Sequence, residues 1–528
     1  MSTPSPLRRL DLLLLVGYCA VLFSFPLWFN RSLTIHETVH CVNIREMRLD
    51  GDWIIPHYGG RPWLERPPLP FWLTMPFLAV LGDTPSVFRL PPLLVATLCA
   101  VLVAWMASVW YGRIVGLLAG AILVTLREFT HYATAPECDM FLCGVVTSAL
   151  ALFVYLEFRR RPALDERGFL WGARPWALLG FFVLLGLANL VKGLFFGDLW
   201  ILLPVAAFLL CGPDRWTLLR RYFWLPGWVA FLAVGSAWAV SAYVRYPDIV
   251  ELWRSDYAGR VHEHYMTEPF WYYVPHLLWN LFPWTIAALI GLAVTWSKVR
   301  GAGRTPERFL WCWALVPVAF FSLLNGKHHH YLLHGMTPWA ILAAVGTVRF
   351  WQWLREGNWV RQTLQPTPVA VALFAVLVPL HWSGHALFPV LKDRYREDRA
   401  FVEKVRQMLP ADAPLLVLGD IGPLDASWML FYLQGRAGHL HNATFLRELP
   451  ESIREVYVIS RRMLARQLSD HGECSCLLES NRSRDEGTAE HRFGLYRVRL
   501  SDRFVRSDRR AYISPMQATG RAPGPVLE

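Results

Sequence analysis

Apolar residues along this chain come in long unbroken runs rather than in alternation. Leu12 to Phe29 is the first; at close to 20 residues it can cross a hydrocarbon core as a helix. Arg8 and Arg9 precede it and it lacks a small-residue cleavage site, so it reads as an anchor with its N-terminus inside, not as a removed signal peptide. Further runs cover Leu93 to Trp110, Ile114 to Ala133, Met140 to Leu156, Trp176 to Val191, Leu194 to Leu210, Phe223 to Val244, Tyr272 to Trp296, Phe309 to Leu324, Tyr331 to Val348 and Pro368 to Trp382, which predicts eleven spans. Arg113, Arg159 to Arg161, Arg215 with Arg220 and Arg221, Lys298 with Arg300, Arg304 and Arg308, and Arg349 with Arg355 and Arg361 all fall at alternate ends of these runs. That face is therefore the cytoplasmic one. Pro67 to Leu81 is apolar but short and Pro-rich, and it suits a segment at the outer interface; were it to span, the count would rise, so about 11 to 13 transmembrane helices are expected.

The pattern changes after residue 387. An odd number of spans puts the C-terminal residues outside, where charged and polar side chains take over. Ala413 to Leu418 and Val456 to Ser460 are short apolar runs that lead into helix-like stretches, and Phe493 to Leu500 alternates like an edge strand. The expected architecture is thus a polytopic α-helical membrane module over 1–387 with an outer loop at 30–87, a small extracytoplasmic α/β domain over 388–500, and a disordered tail over 501–528. Composition agrees: 54% hydrophobic residues, 26 Trp and only 18% charge among 528 residues exclude a set of soluble domains and a disordered chain. Nine Cys are too sparse for a disulfide scaffold, and the net charge of +11 results from the basic inner loops without a nucleic-acid partner.

Ionisable residues crowd on the other, outer face. Loop one holds His36, Glu37, His40, Arg45, Glu46, Asp50, Asp52, Glu65 and Arg66; later loops add Glu137 and Asp139, Lys192, Arg260 with His262, Glu263 and His264, and Lys327 with His328, His329 and His330. Loop one is too long for a mere connection. Glu37, Val39 or His40, Ile44 and Met47 fit a short amphipathic helix, and Asp50-Gly51-Asp52 a turn. For His36-Glu37 the plain alternative to a catalytic role is a helix N-cap, where the dipole favours a carboxylate.

His36-Glu37, Asp50-Gly51-Asp52-Trp53 and Glu65-Arg66-Pro67-Pro68-Leu69 stand in the order of three motifs of a known family. The chain resembles the GT-C membrane glycosyltransferases that include 4-amino-4-deoxy-L-arabinose lipid A transferase and the protein O-mannosyltransferases. In that family an Asp-Glu pair opens the first outer loop, a Ser-Gly-Asp-Trp turn comes next and Glu-Lys-Pro-Pro-Leu closes it. The likeness continues through Phe88-Arg89-Leu90-Pro91, Asp139-Met140, Lys192-Gly193, Pro269 to Tyr273, Phe282-Pro283-Trp284 and Lys327 to Leu333. It covers residues 10 to 350, in order.

The resemblance implies inverting sugar transfer from a polyprenyl-phosphate donor to a lipid A, protein or envelope-glycan acceptor on the outer face of the inner membrane. Arg66, Lys192, Arg260 and Lys327 would then bind the donor phosphate through charge-assisted hydrogen bonds, although basic residues at span ends also snorkel to headgroups. Glu37 and Asp139 are the expected carboxylates for the acceptor hydroxyl. His36 stands where the family has its first acid, which leaves His36 itself, Glu37 alone, or altered activity as readings. Glu65 with His262 and His264 offers one oxygen and two imidazoles to zinc or a similar divalent ion, as in some relatives; exposed polar loop residues are the plain alternative. Two other functions remain: a non-catalytic polyprenyl-phosphate binder, and a lipid or sugar transporter. The transporter would call for repeats and mid-span charges, and the runs are mostly free of charge. A disulfide between Cys41 and Cys138 is a further expectation.

Overall fold

The long apolar runs fold as helices, because within a bilayer a helix satisfies every backbone donor and acceptor internally. A computed structural model of the chain describes residues 7–29, 31–59, 61–159, 174–211, 215–251, 253–254, 268–300, 304–324, 326–360, 363–393, 395–419, 423–434, 436–440, 442–450, 452–481 and 492–501. Among the described residues, seven helices are long and apolar enough to cross a membrane, or nine if each of two bent pairs counts as one span. The chain is a multi-pass membrane protein. Each of the eleven runs has a helical counterpart, but Phe196–Leu210 and Pro306–Ser322 have only 15 and 17 residues, short of the usual spanning length. In the bent pairs, Arg113–Thr125 meets Arg127–Ala133 at 69°, and Tyr273–Asn280 meets Thr285–Val299 at 110°.

The structure divides into two units. The first comprises residues 1–29, 65–70 and 89–388. Its core is mainly apolar, with Phe153, Phe208, Phe309 and Trp313 among the buried rings. The helices Thr285–Val299 and Met336–Glu356 approach so closely that a Cβ on Gly291 would collide with the Leu342 carbonyl oxygen, and one on Gly346 with that of Ala287. Small residues at such crossings let two backbones pack in van der Waals contact where lipid supplies no hydrophobic drive.

Residues 30–64, 71–88 and 389–528 form the second unit. The sequence pattern groups loop one with the helical module; in the structure it shares a core with the C-terminal residues instead. Leu33, Cys41, Ile44 and Met47 are buried with Phe401, Trp428 and Phe431. Polar contacts reinforce this: Ser32 donates through N and Oγ to Asp393 Oδ2 (3.1 and 2.7 Å), Trp428 Nε1 donates to the Leu33 carbonyl at 3.0 Å, and Arg45 Nη1 donates to that of Phe431 at 2.8 Å. Five strands make one mixed sheet. With β1 (His57–Tyr58) and β2 (Arg61–Pro62) forming a small hairpin in loop one, β3 (Leu415–Leu418), β4 (Gly438–Leu440), β5 (Glu455–Arg461), β6 (Gly472–Glu479) and β7 (Phe493–Leu500) are ordered β4-β3-β5-β7-β6. Here β7 is an inner strand, not the edge its alternation suggested: it pairs antiparallel with both β5 and β6. The edge is β6, whose sequence Gly-Glu-Cys-Ser-Cys carries no strong alternation to mark it as a strand.

Loop one itself folds as its pattern indicates. A helix runs from Ile35 to Asp50, and Gly51 closes it in the left-handed conformation (φ 72°), its N–H donating to the Met47 carbonyl at 3.1 Å. Asp52 Oδ1 then accepts from the amides of Ile54 and Ile55, an Asx turn. At the helix start Thr34 and Glu37 make a reciprocal capping box, with Thr34 N donating to Glu37 Oε2 at 2.6 Å. Arg31 grips the same carboxylate with both Nη1 (2.7 Å) and Nη2 (2.8 Å). Asp50 lies 3.7 Å from His57 Nδ1, and burial, then the neighbouring Asp52, pushes its carboxyl up to about 6.

Gly346→Leu should cost about 1–3 kcal/mol through overpacking and lower the melting temperature in detergent, whereas Gly17→Ala, with nothing within 4 Å of the new Cβ, should leave it unchanged. Glu37→Gln keeps the capping box but removes the ion pair with Arg31, and should destabilise by about 1–2 kcal/mol, seen as a lower unfolding midpoint for the full chain. Because the folded Asp50 holds its proton more tightly than the unfolded one, it adds stability below about pH 4, and that contribution fades as pH rises through about 6; Asp50→Asn should remove this component from melting curves taken across that window.

Candidate functional site

In the first unit a carboxylate and an ammonium meet at the ends of two helices. Asp139 lies in the first turn of Cys138–Val154, and Lys192 in the last turn of Arg174–Lys192, so each charge sits at the helix end whose dipole favours it. Lys192 Nζ donates to Asp139 Oδ1 at 2.5 Å, and both side chains are nearly inaccessible. A buried pair of this kind holds only while both partners are present; removing one typically costs about 3–5 kcal/mol. After Lys192 the chain turns sharply. Gly193 takes φ 92° and Phe195 φ 67°, the latter held by its N–H donating to Asn189 Oδ1 at 3.0 Å. The turn places the Phe196 ring 5.0 Å from Lys192 Nζ, and Tyr331 supplies a second ring at 5.1 Å, so the ammonium rests between two π faces.

Two histidines complete this cluster. His334 Nε2 is 3.6 Å and His330 Nε2 4.0 Å from Asp139 Oδ1. Sequence reasoning passed over His334, which lies with His330 in the 3-10 helix His329–Gly335, where no α-helical spacing marks the two as neighbours. His334 is fully buried against Phe196 and Trp200. His328 stacks on His330 with ring centroids 5.2 Å apart.

Lys192 also lines a cleft of about 460 Å³ open to solvent, with Glu65, Arg66, Asn189, Gly193 and Trp238. Glu65 is exposed and Arg66 half-buried. Two of the four expected phosphate-binding cations thus line one concavity. Lys327 is placed otherwise. Its Nζ donates to the backbone carbonyls of Glu268 (2.8 Å) and Leu324, and burial lowers its pKa. Arg260, His262 and His264 lie outside the described residues, so of the expected metal set only Glu65 is placed. Among the described residues no group of three or more His, Cys, Asp or Glu is arranged to hold a metal.

His36 and Glu37 belong to the second unit. Glu37 is buried in its capping box and ion pair, while the preceding His36 is exposed at the start of the same helix. Cys41 and Cys138 are both buried, and the disulfide expected between them is not formed.

A second cluster in the first unit was not anticipated. Glu128, in the short helix after the 69° bend, is buried, and its Oε1 lies 3.1 Å from Nδ1 of the half-exposed His329. Tyr272 and His276 stack at 4.2 Å, and the His276 and His329 rings lie nearly parallel at 6.4 Å. The signal for it was Arg127-Glu128, two charges interrupting the apolar run Ile114 to Ala133, which marks a functional position in a membrane segment.

No protein-family model matches the chain. Among curated proteins it is 29% identical over 337 residues to the undecaprenyl phosphate-alpha-4-amino-4-deoxy-L-arabinose arabinosyl transferase of Pectobacterium carotovorum subsp. carotovorum (strain PC1), covering 62% of this chain and 57% of that protein. To the enzyme of the same name from Pseudomonas aeruginosa (strain UCBPP-PA14) it is 31% identical over 354 residues, 64% of this chain and 60% of the other. The matches therefore span somewhat under two thirds of these relatives' length. Among solved structures, ArnT from Cupriavidus metallidurans bound to undecaprenyl phosphate superposes with a TM-score of 0.71 at 19% identity, over 92% of this chain and 97% of that one. The archaeal oligosaccharyltransferase AglB from Archaeoglobus fulgidus gives 0.55 at 13% identity, over 86% and 69%. In sequence the chain is similar to the undecaprenyl phosphate-alpha-4-amino-4-deoxy-L-arabinose arabinosyl transferases, and in fold to ArnT and the oligosaccharyltransferase AglB.

Proposed function

We propose that this chain is an inverting membrane glycosyltransferase that takes a sugar from an undecaprenyl-phosphate carrier and passes it to a lipid A, protein or glycan acceptor on the outer face of the inner membrane. The observation that carries the reading is the cleft in which Arg66 and Lys192 stand together, Lys192 being tied to Asp139. A phosphodiester is an anion, and guanidinium and ammonium groups in a partly dry cleft hold it by charge-assisted hydrogen bonds. The relatives' names make 4-amino-4-deoxy-L-arabinose the first sugar to test.

In such a transfer the acceptor oxygen attacks the anomeric carbon from the face opposite the phosphate. The bond from that carbon to the phosphate oxygen breaks, and its electron pair stays on undecaprenyl phosphate. Arg66 and Lys192 meet the charge that develops there, which is where fixed cations accelerate a reaction most. Asp139 holds the Lys192 ammonium in place as its counter-ion. Glu65, on the rim of the same cleft, is the residue that would help hold a divalent ion, whose chemistry when bound would be to polarise the phosphate. The reading further takes eleven helices as the spans and the sheet of the second unit as periplasmic, on the strength of the basic loops at the opposite face.

The test is transfer from a panel of radiolabelled undecaprenyl-phosphate sugars by the full-length protein in liposomes. Wild type should transfer at least one sugar, and Arg66→Ala and Lys192→Met should each lower kcat by about 100-fold or more with weaker donor binding. Undecaprenyl phosphate binding without turnover of any donor would favour a polyprenyl-phosphate binder instead.

A further inference from the structure

Neither carboxylate first expected to take the acceptor proton is disposed for it. Glu37 is wrapped by Arg31 and its own helix start, and Asp139 is enclosed with Lys192. In the first unit, His329 is an imidazole that a buried carboxylate orients while its side chain stays accessible. With Glu128 ionised, and so an acceptor only, the 3.1 Å contact to Oε1 favours the ring proton of a neutral His329 on Nδ1. Nε2, on the far side of the ring, is then the nitrogen with the lone pair, and 53% of the side chain is exposed against 5% for Glu128. A carboxylate that fixes the tautomer of an exposed imidazole is the arrangement by which a histidine becomes a general base.

Its surroundings fit that role. His329 is one residue from His330, whose ring centroid is 5.8 Å away and whose Nε2 is 4.0 Å from Asp139, so the dyad adjoins the Asp139–Lys192 cluster. From the short helix Arg127–Ala133 the charged groups near it are Glu128 and Arg127, the latter 3.7 Å from Glu128 Oε2. Tyr272 and His276 face it from the neighbouring helix and its start, and Asp139 acts on it electrostatically.

We infer that His329, positioned by Glu128, is the base that accepts the proton from the acceptor, and that the acceptor nucleophile is therefore a hydroxyl. The inference rests on the glycosyl-transfer reading above. The acceptor proton passes to His329 Nε2 as the acceptor oxygen bonds to the anomeric carbon; the carbon–oxygen bond to the phosphate breaks with its electrons kept by undecaprenyl phosphate, and His329 later releases the proton to water. A phosphate-oxygen acceptor, with a second pKa of about 6, is already ionised and has no use for such a group. A hydroxyl needs it.

The full-length protein in liposomes is supplied with whichever undecaprenyl-phosphate sugar the wild type turns over, and with two acceptor probes: octyl glucoside, which offers hydroxyls, and dodecyl phosphate, which offers a phosphate monoester. Transfer to octyl glucoside should show an acidic limb in kcat. In His329→Asn, kcat should fall about 100- to 1,000-fold, the limb should vanish and the donor KM should stay the same. Glu128→Gln should cost about tenfold and displace the limb, which a merely structural role for Glu128 would not do. His329→Gln, checked for an unaltered melting temperature and retained undecaprenyl phosphate binding, guards against a folding defect. A His329→Asn enzyme that keeps both rate and limb overturns the inference, as does transfer confined to dodecyl phosphate or a limb lost only in His36→Asn. A wild type that turns over no donor overturns the transfer reading and this inference together.

Discussion

A charged carboxylate enclosed in an apolar helical bundle is costly without a partner cation, and the ion pair between Asp139 and Lys192 is the interaction around which the candidate site of the first unit is arranged. It ties the N-terminal end of one helix to the C-terminal end of another. It also fixes the position of a positive charge on the wall of the cleft that Arg66 shares. The π faces of Phe196 and Tyr331 and the imidazoles of His330 and His334 close around the pair. Because the ammonium is already held, little reorganisation accompanies binding of an anion, which is the property that makes fixed charges effective in catalysis.

The second unit solves a different problem. Loop one lies between two apolar segments and must find partners for its own apolar stripe. It finds them in the C-terminal residues, through Trp428, Phe431 and Phe401. Glu37, in a motif that resembles a catalytic pair, meets the need common to every helix start, and Arg31 completes its neutralisation. Chemistry and helix capping favour the same residue type at the same place, so the residue alone does not separate them.

Much of this was legible in the chain. Each apolar run became a helix, the loop-one helix and the Asp50-Gly51-Asp52 turn came from periodicity and Gly placement, and the loop-one motifs carried the resemblance later found in the comparisons. Three features were not. Bends within spans are invisible to hydropathy, since the windows on either side remain apolar, and the bend before Arg127 is what brings Glu128 to His329. The pairing of Asp139 with Lys192 joins positions 53 residues apart, and no local period reports such a distance. The inner place of β7 depends on a neighbour, β6, whose own sequence gives no strand signal.

The shared core of loop one and the C-terminal residues has a consequence for how the protein is made. Leu33 receives the indole of Trp428 across 395 positions of sequence. At about 5–20 residues per second of synthesis, loop one must wait roughly 20 to 80 s for that partner to emerge. Throughout that interval Leu33, Ile44 and Met47 have no core to enter, while the first helices are already in the bilayer. The first of these segments to be made is thus among the last to be finished, and the period of greatest exposure to proteases and chaperones is written into the order of the chain.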